Sequence, residues 1–231
     1  QTPGDVRVAT RDRRGRLAEL RADYVIVTAP ATIVRRMQFE PALPAEQQRA
    51  LETLPYGCAT KTLLQCARPF WRRPGRPWAY GTNLDVGALW DGSEEQKGRA
   101  AILVSLAGGS ASGAARDLFQ REGAQPFVER LRWMRGAASS SSASRSGSSH
   151  APEVIASSIT TWEDDPWAGG AYAYFSTDFD PSSRRWLSAP AGRVLFAGEH
   201  TSVEWQGYMN GAVTSGQRAA AEVIALGLSD A

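Results

Sequence analysis

The sequence predicts an α/β domain built on a covered sheet and interrupted by a mixed α+β lobe. Three observations predict it. Tyr24-Val25-Ile26-Val27-Thr28 is continuously apolar and β-branched, as a strand buried on both faces of a sheet requires, and Ala29-Pro30 ends it. Arg193-Val194-Leu195-Phe196-Ala197-Gly198 repeats that character late in the chain and runs into a loop. Between them, strand patterns broken by proline and glycine give way to the helical spacing of Phe127, Val128, Leu131 and Met134.

The remaining elements follow the same reasoning. Val6-Arg7-Val8-Ala9-Thr10 alternates, residues 11–15 supply a polar turn, and Leu17 and Leu20 continue beyond it, which reads as a β-hairpin. Pro44 suits a first helical turn, Ala50, Leu51 and Leu54 form one face, and Pro55 stops this short docking helix. Residues 60–66 read as a strand, followed by an aromatic and proline knot of Pro69, Phe70, Trp71, Pro74, Pro77 and Trp78. Residues 87–90, 100–106 and 155–162 are further strands. The tract 136–149 is almost wholly Ser, Ala and Gly, a composition that buries too little surface to offset ordering entropy, and it is expected to be a flexible linker or surface loop. Residues 210–226 place Ala212, Ala219, Ala220, Val223 and Ile224 near one helical stripe.

Composition excludes several classes of function. With 42% hydrophobic residues, the 231-residue chain can bury a core. Its 26 basic and 24 acidic residues leave a net charge of +2, too weak a field to recruit nucleic acid or an anionic membrane. Cys58 and Cys66 are too few for a disulfide framework and have no zinc spacing with His150 and His200, so two inert thiols and no metal are expected. The longest apolar runs are too short to span a bilayer, and no targeting pattern is visible in residues 1–8, which leaves a cytoplasmic location as the default.

The chemistry concentrates in Phe196-Ala197-Gly198-Glu199-His200-Thr201, Trp205-Gln206-Gly207-Tyr208-Met209-Asn210-Gly211-Ala212 and Ser215-Gly216-Gln217-Arg218-Ala219-Ala220. Strand, loop and helix start follow in order. Glycines 198, 207 and 211 let backbone approach a flat ligand, and the helix start offers free N–H groups and positive dipole to an oxygen gaining negative charge. That physics fits phosphates, carboxylates and polarised cofactor carbonyls alike.

These residues resemble the C-terminal signature of the flavin-containing monoamine oxidase family, which includes L-amino acid oxidases and polyamine oxidases. The resemblance implies an FAD cofactor, with Glu199 hydrogen-bonding a ribityl hydroxyl, the backbone of Tyr208 and Met209 facing the flavin's pyrimidine edge, and Gly198, Gly207 and Ala212 completing the binding stretch. Residues 162–172 resemble the loop covering the flavin face, and Ala171 stands where members with covalent FAD carry cysteine, which implies non-covalent FAD here. Tyr172 and Tyr208 correspond to the tyrosine pair flanking the substrate nitrogen, whose electron-rich faces stabilise a partly positive amine. Tyr56-Gly57-Cys58-Ala59-Thr60-Lys61 resembles the segment whose lysine holds a water beside the flavin and stabilises charge as oxygen is reduced. Trp90 and Trp205 are read as packing aromatics.

The departure from the family is as informative. The sequence has no G-x-G-x-x-G turn between a first strand and helix, the family's entry to its dinucleotide fold. The expectation is therefore an α/β FAD-binding fragment of the two-dinucleotide-binding-domain type, residues 1–38 and 161–231, with an α+β substrate-binding lobe at 39–160 and the active site at their interface. The expected reaction takes a primary amine to an imine, then to carbonyl compound and ammonia, with O2 reduced to hydrogen peroxide. Two alternatives stand beside it: an L-amino acid oxidase of the same family, and a non-catalytic chain or subunit completing the FAD site of a partner chain or segment that carries the N-terminal FAD domain.

Overall fold

The computed structural model describes residues 4–72, 74–135 and 152–229, and the tract expected to be a flexible linker lies outside them. Along the chain, strands β1 (Val6–Arg11), β2 (Leu17–Ala22) and β3 (Val25–Val27) lead to helices α1 (Ala31–Val34) and α2 (Ala45–Thr53). Strands β4 (Ala59–Cys66), β5 (Ala79–Tyr80), β6 (Ala88–Asp91) and β7 (Ala101–Gly108) precede α3 (Ser110–Glu122) and α4 (Ala124–Glu129). Strands β8 (Val154–Thr161) and β9 (Val194–Phe196) lead to the terminal helix α5 (Met209–Ser229). The chain divides into two compact units, Gln1–Gly57 with Asp164–Ala231, and Cys58–Glu163. The boundary expected after residue 38 thus moves to 57. The reason is α2, whose Gln47 amide donates to the carbonyl of Ala189 and whose Ala50 and Leu51 share a core with Leu187 and Phe196.

In the first unit, β1 and β2 form the expected hairpin, closed by Asp12, whose side chain accepts from the amides of Arg14 and Arg16 at 2.8 and 2.9 Å. Parallel pairing joins β3 to β9, with Val25 opposite Val194 and Val27 opposite Phe196. All three residues of β9 are buried, as its composition demanded. Burial of β3 on both faces is corrected: Ile26 is 38% exposed. The apolar stripe expected on α5 is corrected too. Gly211, Ser215 and Ala219 are the buried line, whereas Ala212 and Ala220 are exposed and Ile224 is 64% exposed. Polar anchors, not apolar area, choose the inward face: Arg218 donates to the carbonyl of Phe196 at 2.6 Å, and Ser215 accepts from the amide of Gly198 at 2.9 Å.

The second unit is a five-stranded antiparallel sheet of order β5-β6-β7-β4-β8. Strand β4 alternates, with Thr60, Thr62, Leu64 and Cys66 buried and Lys61, Leu63 and Gln65 on the opposite face. The buried face shares its core with Ala115 and Leu118 of α3 and with Phe127, Val128, Leu131 and Met134. These last four pack as one face although the helix gives way to a 3₁₀ turn at Arg132–Arg135. Helix α3 has no counterpart in the sequence reading, because its inward positions Ser112, Ala115 and Leu118 carry too little apolar contrast. Burial pushes the Cys66 thiol up to about 11, which keeps it protonated and unreactive, while Cys58 is exposed.

The aromatic knot has a polar centre. Asp91, at the end of β6, accepts from the Trp71 indole at 2.9 Å, from Arg72 through Nε and through Nη2 at 3.0 Å, and from the amide and hydroxyl of Ser93 at 2.9 and 3.0 Å. Burial alone would raise its pKa, but the Arg72 guanidinium and these donors hold it down to about 2. The Trp78 ring lies 5.2 Å from the Arg72 guanidinium carbon.

Candidate active site

In the first unit the candidate residues converge around one carboxylate. Ala171 and Tyr172, joined by a cis peptide bond, run beside Gly57: the Ala171 amide donates to the Gly57 carbonyl at 2.9 Å, and the Gly57 amide to the Tyr172 carbonyl at 3.0 Å. The next residue, Ala173, donates its N–H to Glu199 Oε1 at 3.1 Å. Glu199 Oε2 accepts from the amide of Gly207 at 2.7 Å. One side chain therefore ties the 171–173 segment to the loop that opens α5, and charge-assisted acceptance makes both bonds strong. Gly207 closes the arrangement. Its φ is +80°, and a Cβ there would stand 3.0 Å from the Tyr172 ring. The ring lies against bare backbone where any other residue would clash or strain.

The helix start is open. Tyr208 donates its amide to the carbonyl of Trp205, and Gly211 and Ala212 return their amides to the carbonyl of Tyr208 at 3.0 and 3.3 Å. The amides of Met209 and Asn210 thus precede the first intrahelical bonds. Gly211 sits where a Cβ would fall 2.1 Å from the Trp205 carbonyl oxygen, so the loop seats directly on helix backbone. Tyr172, Tyr208 and Met209 are 57, 65 and 87% exposed, and Ala212 is exposed on α5. Trp205, read as a packing aromatic, is half-exposed with its ring edge-on to Tyr208 at 6.1 Å.

Neighbouring groups hold the loop from below. Gly198 donates to Ser215, and His200 beside it is buried, a position that depresses its imidazole pKa to about 4 and leaves it neutral. Arg184 donates to the carbonyls of Ser202 at 3.0 Å and Val203 at 2.5 Å, with the Phe175 ring 4.7 Å from its guanidinium carbon. The Tyr56 hydroxyl accepts from the amide of Ala31 at 3.0 Å, and burial raises its pKa. Arg184 was not marked by the sequence, and Tyr56 was quoted only as the start of the segment ending at Lys61, since nothing local marks a side chain that serves a loop remote in the chain. Gln206 stood in the signature without a role of its own: its Nε2 is buried with no hydrogen-bond partner among the described residues, immediately before Gly207. Lys61 belongs to the second unit, half-buried on β4, where it lies opposite Leu106 and Thr160.

Replacing Glu199 tests the clamp directly. Glu199→Gln turns one acceptor into a donor facing a backbone N–H, and is expected to cost about 1–3 kcal/mol locally. Amide exchange at Ala173 and Gly207 should accelerate together while exchange in the second unit is unchanged; unaltered protection at both amides would show that the carboxylate does not organise the loop.

Comparison with known proteins bears on these features. The sequence profile of the family described as flavin containing amine oxidoreductase matches residues 1–224. The chain is 30% identical over 207 residues to amine oxidase [flavin-containing] B of Cavia porcellus, covering 88% of this chain and 38% of that protein, and 28% identical over 208 residues to amine oxidase [flavin-containing] A of Bos taurus. Among solved structures, cyclohexylamine oxidase from Brevibacterium oxydans superposes with a TM-score of 0.77 at 24% identity, over 96% of this chain and 46% of that one. A redesigned putrescine oxidase superposes with a TM-score of 0.76 at 21% identity, over 97% of this chain and 47% of that one. The chain thus spans less than half the length of these relatives, shares an FAD-binding fold with them, and belongs to the flavin containing amine oxidoreductase family.

Proposed function

We propose that this chain contributes the amine-binding part of a flavin-dependent oxidase that converts a primary amine to an imine and reduces O2 to hydrogen peroxide. FAD, the cofactor the family implies, would supply the two-electron chemistry. The residues present fit such a group. The buried Gln206 Nε2 has no partner among the described residues, the Met209 and Asn210 amides are free of intrahelical bonds, and Gly207 presents bare backbone to the Tyr172 ring. In this reading Gln206 and the helix-start amides hold the flavin's polar edge, and Glu199 takes a ribityl hydroxyl with the lone pairs its two amide bonds leave free. Ala171 offers no sulfur, so the cofactor is held without a covalent bond.

The observation that carries the reading is the pairing of two exposed tyrosines, Tyr172 and Tyr208, through one carboxylate that fixes both of their segments. Their rings receive a neutral amine and stabilise positive charge as it develops at nitrogen. Lys61, in the second unit, is the lysine to which the family resemblance assigns a fixed cation for the reduction of oxygen. An amino-acid substrate would need a cation for its carboxylate. The tyrosine pair offers electron-rich faces and no charge, and this favours amines.

The test joins this chain to a segment bearing the glycine-rich dinucleotide turn and offers the assembled flavoenzyme cyclohexylamine, putrescine and a panel of L-amino acids. Peroxide formation with an amine, and yellow flavin in the supernatant after acid precipitation, are expected. Turnover confined to amino acids would overturn the substrate class, and flavin pelleting with the polypeptide would overturn non-covalent binding.

A further inference from the structure

Of the 26 lysines and arginines only Lys61 and Lys97 are lysines. Lys61 projects from the face of β4 that carries Leu63 and Gln65, opposite the face that packs on α3 and α4. The register fixes what lies beside it. Lys61 is opposite Leu106 of β7, Leu63 is opposite Val104, and Val104 in turn is opposite Trp90 of β6. Trp90 therefore shares the sheet face with Lys61, two strands away and two residues along, about 10 Å across the sheet at ordinary strand spacing. A lysine stem spans most of that distance when it lies across β7. The Lys61 ammonium stands 5.9 Å from the centroid of the Trp90 ring, within range for attraction to an indole face.

We infer that Trp90 is a positioning residue for Lys61: the indole draws the ammonium across β7 and fixes it above the sheet in place of a freely rotating surface cation. A lysine on an exposed face samples many rotamers, and an electrostatic group acts on a developing charge only when it is already in place. The indole face attracts a cation without neutralising it, as a carboxylate would, so the charge stays available to an incoming oxygen species. Trp90 thus has a use beyond the packing role its sequence suggests. The inference rests on the reading of Lys61 as the cation of the oxygen half-reaction, and its tests separate the two.

The first test uses the 231-residue chain itself, labelled with 13C at lysine Cε. Two lysine signals are expected, one displaced upfield by the indole ring current and lost in Lys61→Arg, the other lost in Lys97→Arg. Trp90→Phe should keep part of the displacement and Trp90→Leu should abolish it. Coincident lysine signals in the parent chain overturn the pairing without any need for a variant. The second test is kinetic, in the assembled flavoenzyme. Trp90→Leu should slow the oxidative half-reaction about fivefold, as the loss of one exposed cation–π contact implies, with Trp90→Phe restoring most of it. If Lys61→Met slows that half-reaction and Trp90→Leu does not, the positioning role is wrong while the Lys61 reading stands. If neither substitution changes it, both are wrong.

Discussion

In the assembled flavoenzyme, Lys61→Met should leave the anaerobic reductive half-reaction with amine nearly unchanged and slow the oxidative half-reaction by about 10²-fold. The separation follows from what each step demands of the protein. In the function proposed above, the amine nitrogen is held between Tyr172 and Tyr208, and neither residue lies in the unit that carries Lys61. Oxygen reduction needs positive charge already in place as negative charge develops, and a single preorganised electrostatic group is worth roughly that factor in rate. Methionine retains much of the stem's volume, so the apolar packing against the sheet survives and the lost cation accounts for the effect. Stopped-flow traces under air and under nitrogen check it. Oxidation at the parent rate would make Lys61 a solvated strand residue with no part in the oxygen half-reaction.

A second large effect is expected far from that chemistry. Asp91→Ala should lower the unfolding free energy of the second unit by about 3 kcal/mol, the low end for removing one partner of a buried ion pair. The low end applies because the Arg72 side chain keeps 25% exposure and water can partly satisfy it, whereas the Asp91 side chain is 1% exposed. The loss also strands the Trp71 indole N–H inside the core, where an unpartnered donor is costly. A pH dependence accompanies it. The folded pKa of about 2 lies below the ordinary aspartate value of 3.8, so this stabilisation is fully present above about pH 5 and is lost as pH falls toward 2. Urea unfolding followed by tryptophan fluorescence at pH 7 and pH 3 checks both statements. The parent should lose stability between these values, and Asp91→Ala should lose less; equal losses would place the acid sensitivity elsewhere.

How much of this was legible beforehand depends on the range over which each feature is written. The β1–β2 hairpin, the buried β9 and the helix that becomes α2 were all readable, because alternation, continuous apolar runs and proline placement are properties of neighbouring residues. The helix α5 was readable in extent but not in orientation. Its inward face is chosen by Ser215 and Arg218 reaching β9 and by Gly211 meeting the Trp205 carbonyl, contacts that no helical wheel displays. Helix α3 escaped notice because its buried positions are small or polar, and Ser112 is inside only because Thr60 and Glu163 bond its hydroxyl at 2.8 Å each.

Legible in the sequence by itself were the candidate residues: the strand-loop-helix from Phe196 to Ala220, the tyrosines at 172 and 208, the alanine at 171, and a lysine on a strand. They were legible because those residue types and spacings are local and dense. Only the tertiary structure decided the connections. Glu199 reaches Ala173, 26 residues back, and Gly207, 8 residues ahead, and becomes the tie between two segments. Lys61 meets Trp90 because two antiparallel registers bring them to one sheet face. Asp91 becomes the centre of a buried cluster because the chain returns Trp71 and Arg72 to it. In each case the physical reason is the same: a hydrogen bond or a cation–π contact depends on angström-scale positions, and strand register and loop path set those positions between residues that no sequence window contains together.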